Sequence, residues 1–290
     1  MSADQNSDHY FIPDPSPWPV IGMVSLLLAL IGTALTMNGV GIGKYVTIAG
    51  LVLFAVLLFG WFSDVVRENL SDCYNRQVDR SFRMGMMWFI ASEVFFFGAF
   101  FGSLFYIRNI AVPWLGGDGY LGVTQELLYG EYQPVWPTHG PAEVGGDFAP
   151  MGPWGVPAIN TFLLLSSGAT ITWAHWGLKL NKQNHLVWGL IATIVLGLLF
   201  AALQAWEYGH AYNELNLTLG TGIYGSTFYM LTGFHGFHVC MGAIMLMAIL
   251  GRSMKGHFSP HNHFAFEAVA WYWHFVDVVW LGLFIFVYWL

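Results

Sequence analysis

Charge is what this sequence has least of. Only 9% of its 290 residues are Asp, Glu, Lys or Arg, where a soluble domain carries about 25%. A water-exposed globular surface cannot be built from so few charges. Cysteine is almost as scarce: Cys73 and Cys240 fit neither a disulfide framework nor a C-x-x-C metal site. There is no C-x-x-C-H for covalent haem, no Gly-rich phosphate loop, no Ser/His/Asp order and no basic stripe for nucleic acid. The first ten residues are polar and lack the basic segment of a signal peptide. No internal repeat is visible. The chain alone does not read as an enzyme.

What is present is apolar length. Hydrophobic residues make up 56% of the chain and aromatics 18%. Seven runs are near the ~20 residues that cross a bilayer as a helix: residues 18–37, 45–66, 84–107, 159–178, 187–208, 227–250 and 266–289. The reading is an all-α polytopic membrane protein. Residues 1–66 hold a polar, mobile start and a two-helix hairpin closed by the Gly-rich turn at 38–44. Residues 67–83 form a charged connector. Residues 84–290 form five helices and one long loop, 108–158, rich in Gly, Pro and Trp. Prolines around Trp18 suit a helix start, where N–H groups are orphaned anyway, and Trp18 suits an interface.

Basic residues set the orientation. Arg67, Arg76, Arg80, Arg83, Lys179, Lys182, Arg252 and Lys255 lie after the second, fourth and sixth runs, against only Lys44 and Arg108 on the other side. The positive-inside rule makes the N-terminus cytoplasmic and the C-terminus external. The acids Asp118, Glu126, Glu131, Glu143 and Asp147 of the long loop then face outward, on the side where a basic partner would arrive.

The third run carries one carboxylate, Glu93, with Phe89, Phe96, Phe97 and Phe100 on its helical face. Such a group is costly in lipid and should face protein. Low dielectric favours its neutral form. It reads either as a hydrogen-bonding glue between helices or as a protonatable, gating group. Gly98 and Gly102 form a G-x-x-x-G pair that invites close approach of another helix.

Further polar groups lie in the last three runs. Gly197, Phe200, Gln204 and Glu207 share one face; His235 and His238 stand three apart; Glu267, Trp271, His274, Asp277 and Leu281 form a stripe. At about 1.5 Å rise per residue, Glu93, His274, Asp277 and His238 all fall roughly 12–18 Å from the inner ends, in one layer. His238 and His274 could face each other as haem or metal ligands. Interhelical hydrogen bonding is the commoner use of intramembrane histidine, and no metal site is assigned. His257, His261 and His263 of the inner connector read as headgroup or partner contacts.

Several segments carry a resemblance: Pro-Ser-Pro-Trp-Pro (15–19), Asp64-Val65-Val66-Arg67-Glu68, Ser92-Glu93-Val94-Phe95-Phe96-Phe97, Ile171-Thr172-Trp173-Ala174-His175, Tyr224-Gly225-Ser226-Thr227-Phe228, Thr232-Gly233-Phe234-His235-Gly236-Phe237-His238-Val239, and residues 266–280 from Phe266 to Trp280. They resemble subunit III of the haem–copper cytochrome c oxidases, close to the aa3 type. Family members commonly have two tryptophans where this chain has Trp61-Phe62, and the 108–158 loop is longer here than in mitochondrial members.

The resemblance implies seven transmembrane helices in a two-helix plus five-helix arrangement with phospholipid in the cleft between. It implies no redox centre in this chain, with haem a, haem a3 and copper in partner subunits. Subunit I would be the main contact, with subunit II beside it and cytochrome c docking mainly on subunit II. The role implied is support: complex stability, proton uptake, protection from turnover inactivation and lipid-mediated oxygen supply, in a bacterial inner membrane with a periplasmic C-terminus. Lipid contacts would fall on Trp61, Phe62, Arg67, Arg252, Lys255 and His257. The polar positions are Glu93, His235, His238, His274, Asp277 and Glu267. Rival readings are a proton-coupled transporter using Glu93, His238 and Asp277, a b-type haem protein, and a quinol oxidase subunit III. Against the first, this chain lacks the repeated halves of such transporters; the last usually lacks the N-terminal hairpin.

Overall fold

A computed structural model describes residues 10–290. The polar start lies, up to residue 9, outside the described residues. All regular structure among the described residues is helical. The long helices are α1 (Trp18–Met37), α2 (Gly43–Leu70) and α3 (Arg76–Tyr106). The chain goes on through a π-helical turn (Ile107–Ala111) and two short helices, α4 (Val112–Leu115) and α5 (Gly122–Leu128). Then come α6 (Val156–Lys179), α7 (Gln183–Glu214), α8 (Gly222–Met254) and α9 (Phe264–Leu283), which ends in a π-helical turn, Phe284–Trp289.

Among the described residues six helices are long and apolar enough to cross a membrane. The expected seventh, α6, is long enough at 24 residues but is not one of these six. Asn160, Ser166, Ser167, Thr170, Thr172 and His175 dilute its apolar character, and Asn160 and Ser167 are buried. The connector expected at 67–83 is mostly helix: α2 runs on to Leu70 and α3 begins at Arg76. Arg, Glu and Gln are good helix formers, so charge there does not end the helices.

The chain divides into two compact units, one ending at Met84 and the other beginning at Gly85. In the first, α1 and α2 pack backbone to backbone. A Cβ on Gly32 would strike the Thr47 backbone, and one on Gly50 the Ala29 backbone. Lipid tails are as apolar as leucine, so such close van der Waals fit is what holds a membrane hairpin. Gly60 makes room for the Trp18 ring, whose Nε1–H donates to Asp64 Oδ2 at 2.7 Å. Asp64 also pairs with Arg67. Trp18 therefore ties the start of α1 to the end of α2.

In the second unit α6 and α7 cross where Gly177 and Gly189 leave no room for a side chain. Trp273 of α9 is fully buried, with Gly197 of α7 and Gly242 of α8 against its ring. Phe200 meets Trp280 edge-on at 4.7 Å. The long loop packs on the same unit: Phe148 stacks on Tyr224 at 5.3 Å, and Ala149 N–H donates to Leu215 O at 2.9 Å. The expectation for Gly98 and Gly102 is not met within the described residues, because nothing lies within 4 Å of a Cβ placed on either. The close approaches use other glycines.

Candidate functional site: polar groups between the helices

Glu93 of α3 and His238 of α8 meet. His238 Nε2 lies 2.9 Å from Glu93 Oε2, and the two side chains are 10% and 21% exposed. The other ring nitrogen, Nδ1, lies 2.6 Å from the Phe234 carbonyl. A carbonyl only accepts, so Nδ1 carries a hydrogen. The bond to Glu93 therefore holds one proton, as O–H···N or as O⁻···H–N⁺. The aromatic side chains form a box around His238: Phe97 at 5.1 Å, Phe96 at 6.1 Å and Tyr272 stacked at 6.2 Å. Of the other two expected phenyl rings, Phe89 stacks on Tyr272 at 6.2 Å and Phe100 lies against Phe234 at 5.3 Å.

His274 and Asp277 do not join this pair. On α9, His274 Nδ1 is 3.6 Å from Asp277 Oδ2, and its Nε2 is 3.3 Å from Thr172 Oγ1 of α6. Gly168 of α6 faces the same carboxylate, so closely that a Cβ there would strike Asp277 Oδ2. His235 is buried and its Nε2–H donates to the Val276 carbonyl at 3.2 Å. The layer expected from residue counting is thus split into a Glu93–His238 pair and an α6–α9 group. Only part of the predicted α9 stripe is buried, namely Glu267 and Asp277; Trp273 and Trp280, not Trp271, face the core. Their indole N–H groups donate to α6, Trp273 to Ser167 at 2.8 Å and Trp280 to Thr161 at 2.9 Å.

The α7 face named from the sequence is buried throughout, at Gly197, Phe200, Gln204 and Glu207. Its acid has a partner that sequence reasoning missed: Tyr288 O–H donates to Glu207 Oε1 at 2.7 Å. The next residue of α7, Tyr208, donates its O–H to Thr232 of α8 at 2.7 Å. Tyr288 lies in the terminal π-helical turn, outside the α9 stripe, so helical spacing did not flag it.

Glu267 stands apart from the others, in the first turn of α9. Two histidines face it. His175 Nε2 of α6 is 3.4 Å from Glu267 Oε1, and His263 Nε2 is 3.3 Å from the same oxygen. His263 is buried, which corrects the expectation of a headgroup contact. The three ligand atoms lie within 4.8 Å of one another.

The expected lipid contacts are spread over both units. In the first, Trp61 and Phe62 are exposed and their rings stack at 6.2 Å, and the Arg67 side chain is 76% exposed beside Asp64. Also there, Tyr74 O–H donates to Glu68 at 2.7 Å, and burial, then Glu68, pushes the phenol above its ordinary value. In the second unit the Arg252 guanidinium lies 4.6 Å over the Phe258 ring. Lys255 is the C-cap of α8, and His257 N–H donates to the Arg252 carbonyl at 3.0 Å.

The family model for cytochrome c oxidase subunit III matches residues 8–119 and 131–290. Curated relatives named cytochrome c oxidase subunit 3 match from end to end. The protein from Marchantia polymorpha is 40% identical, over 100% of this chain and 98% of its own length. The one from Pongo abelii is 41% identical over 98% and 97%, and that from Arabidopsis thaliana 39% over 97% and 96%.

Proposed function

The chain belongs to the cytochrome c oxidase subunit III family, and from that premise we propose that it serves as the non-catalytic third subunit of a proton-pumping, aa3-type cytochrome c oxidase. The observation that carries this reading is the end-to-end likeness to relatives bearing that name. Haem a, haem a3 and copper belong to partner subunits, with subunit I as the main contact, subunit II beside it and cytochrome c docking mainly on subunit II. The engagement of the interior histidine nitrogens supports this division. His238 is held by Glu93 and the Phe234 carbonyl, and His274 by Thr172 and Asp277. These two rings are oriented by the protein and not toward a shared axial ligand site.

In this reading α6 crosses the bilayer with the six more apolar helices, giving seven spans counted as two and five. Two of its hydroxyls, Ser167 and Thr161, accept hydrogen bonds from Trp273 and Trp280 of α9. The membrane is a bacterial inner membrane, with the N-terminus cytoplasmic and the C-terminus periplasmic. Phospholipid binds at Trp61, Phe62 and Arg67 and at Arg252, Lys255 and His257. Guanidinium forks suit a phosphate better than ammonium does. Retained lipid sustains proton uptake and oxygen supply and protects the complex from turnover inactivation.

Affinity purification from solubilised membranes tests both levels. The tagged chain should co-elute with haem- and copper-bearing subunits and show a haem a spectrum. Elution with unrelated partners would overturn the reading. In the same preparation Arg67→Ala plus Arg252→Ala should lose phospholipid by mass spectrometry and inactivate within fewer turnovers. Unchanged lipid content would defeat the lipid assignment while leaving the subunit assignment standing.

A further inference from the structure

The inner ends of α6 and α9 hold a donor set that the supporting role above does not use. His175, in the last turns of α6, and His263 and Glu267, at the start of α9, bring two imidazole nitrogens and a carboxylate to one point. The two Nε2 atoms are buried and make no well-aligned hydrogen bond, although each stands 3.3–3.4 Å from Glu267 Oε1. At His263 the hydrogen is placed elsewhere: its Nδ1 donates to the Ser259 carbonyl at 3.0 Å. Its Nε2 therefore stands against a carboxylate oxygen with no well-aligned hydrogen between them. Lone pair against lone pair at low dielectric is repulsive, unless a cation or an added proton lies between.

The spacing separates those two options. Zinc takes imidazole nitrogen and carboxylate oxygen at about 2.0–2.2 Å with tetrahedral angles, which sets adjacent ligand atoms about 3.3–3.5 Å apart. Both nitrogen–oxygen distances here match that edge. A charge-assisted N–H···O bond would draw them to about 2.7–2.9 Å. The surroundings are also those of a metal ligand, which characteristically donates its second N–H to a backbone carbonyl. The turn that supplies this carbonyl is pinned, with Ser259 N–H and Asn262 N–H each donating to the other residue's carbonyl at 3.2 Å. We propose that His175, His263 and Glu267 bind a zinc ion, with a solvent molecule in the fourth position, and that the ion ties the end of α6 to the start of α9.

The test uses the full chain in its detergent-solubilised membrane assembly, stripped with a chelator and dialysed against radioactive zinc. The wild type should hold one more zinc than His263→Ala or Glu267→Gln, with affinity for that ion falling more than about 100-fold in each variant. His261→Ala, in the same connector and exposed, should keep it. Zinc K-edge absorption of the wild type minus the variants should report two imidazoles at about 2.0–2.1 Å. His263→Cys guards against variants that merely fail to fold: it keeps a ligand and should shift preference toward the softer cadmium ion. Equal zinc in wild type and all variants would overturn the proposal. So would a difference spectrum without imidazole, or a cysteine variant with unaltered cadmium preference, either of which would leave the cluster holding protons alone.

Discussion

Replacing Glu93 and His238 separately and together should give strongly non-additive costs. His238→Phe places a phenyl ring in a box already walled by Phe96, Phe97 and Tyr272, so steric damage is small. What it removes is the partner of a carboxyl group that is 21% exposed. Leaving such a group without its hydrogen bond costs about 1–3 kcal/mol. Glu93→Leu leaves the His238 Nε2 lone pair bare among the same rings, at about 1 kcal/mol or more. Apolar replacement of both partners restores a matched contact and can be nearly neutral. Interhelical polar pairs in membranes average about 0.6 kcal/mol with a maximum near 1.7. The upper part of that range is expected here, since the pair meets at 2.9 Å with side chains only 10% and 21% exposed. The double variant should therefore be about 1–1.7 kcal/mol more stable than the sum of the single effects predicts. Glu93→Gln should cost least, because an amide N–H can still donate to Nε2.

Unfolding in mixed detergent micelles, followed by the fluorescence of the chain's 14 tryptophans, measures all the variants in one assay. Distant, independent sites add to within about 0.5 kcal/mol. A cycle that closes within that margin would refute the pairing, and a double variant worse than either single one would refute the packing argument.

Two further outcomes are open to direct measurement. Cysteines placed at Asn38 and Glu131 should react with an impermeant reagent from outside the cell, and those at Asn75 and Asn181 should not; the reverse pattern would sink the orientation. Tyr74 should stay protonated above pH ~10, the ordinary tyrosine value, because burial and Glu68 raise it. A folded state that holds this proton longer than the unfolded chain gains stability that is complete below pH ~10 and declines as pH rises toward the folded value. Tyr74→Phe should flatten that alkaline decline, and an unchanged slope would show that the phenol is not responsible.

What could be read from the sequence was one-dimensional. Apolar length gave α1, α2, α3, α7, α8 and α9, because lipid demands a run of fixed length. The run at 159–178 is also a helix, α6, but it is not among the six apolar enough to span, and its Ser167 and Thr161 accept tryptophan N–H groups that arrive from another helix. Rise per residue likewise gave depth without direction. It placed Glu93, His238, His274 and Asp277 at one level and left open which faced which; packing then paired Glu93 with His238 and turned His274 to Thr172. Gly98 and Gly102 show the same limit, since spacing alone cannot say which small-residue face receives a neighbour.

The histidines around Glu267 carry this furthest. His263 sits in a polar connector, and the sequence reads it as a headgroup or partner contact. Its neighbour His175 is distant in sequence and belongs to another helix, so no spacing rule could join them. What turns His263 inward is local: the Ser259–Asn262 turn presents a carbonyl to Nδ1. That bond decides which nitrogen faces Glu267, and with it whether the cluster can bind a cation at all. A ligand set of this kind becomes legible only when both the fold and the hydrogen position are known. Its chemistry therefore rests on a backbone carbonyl at Ser259, to which the identity of the three donor residues gives no clue.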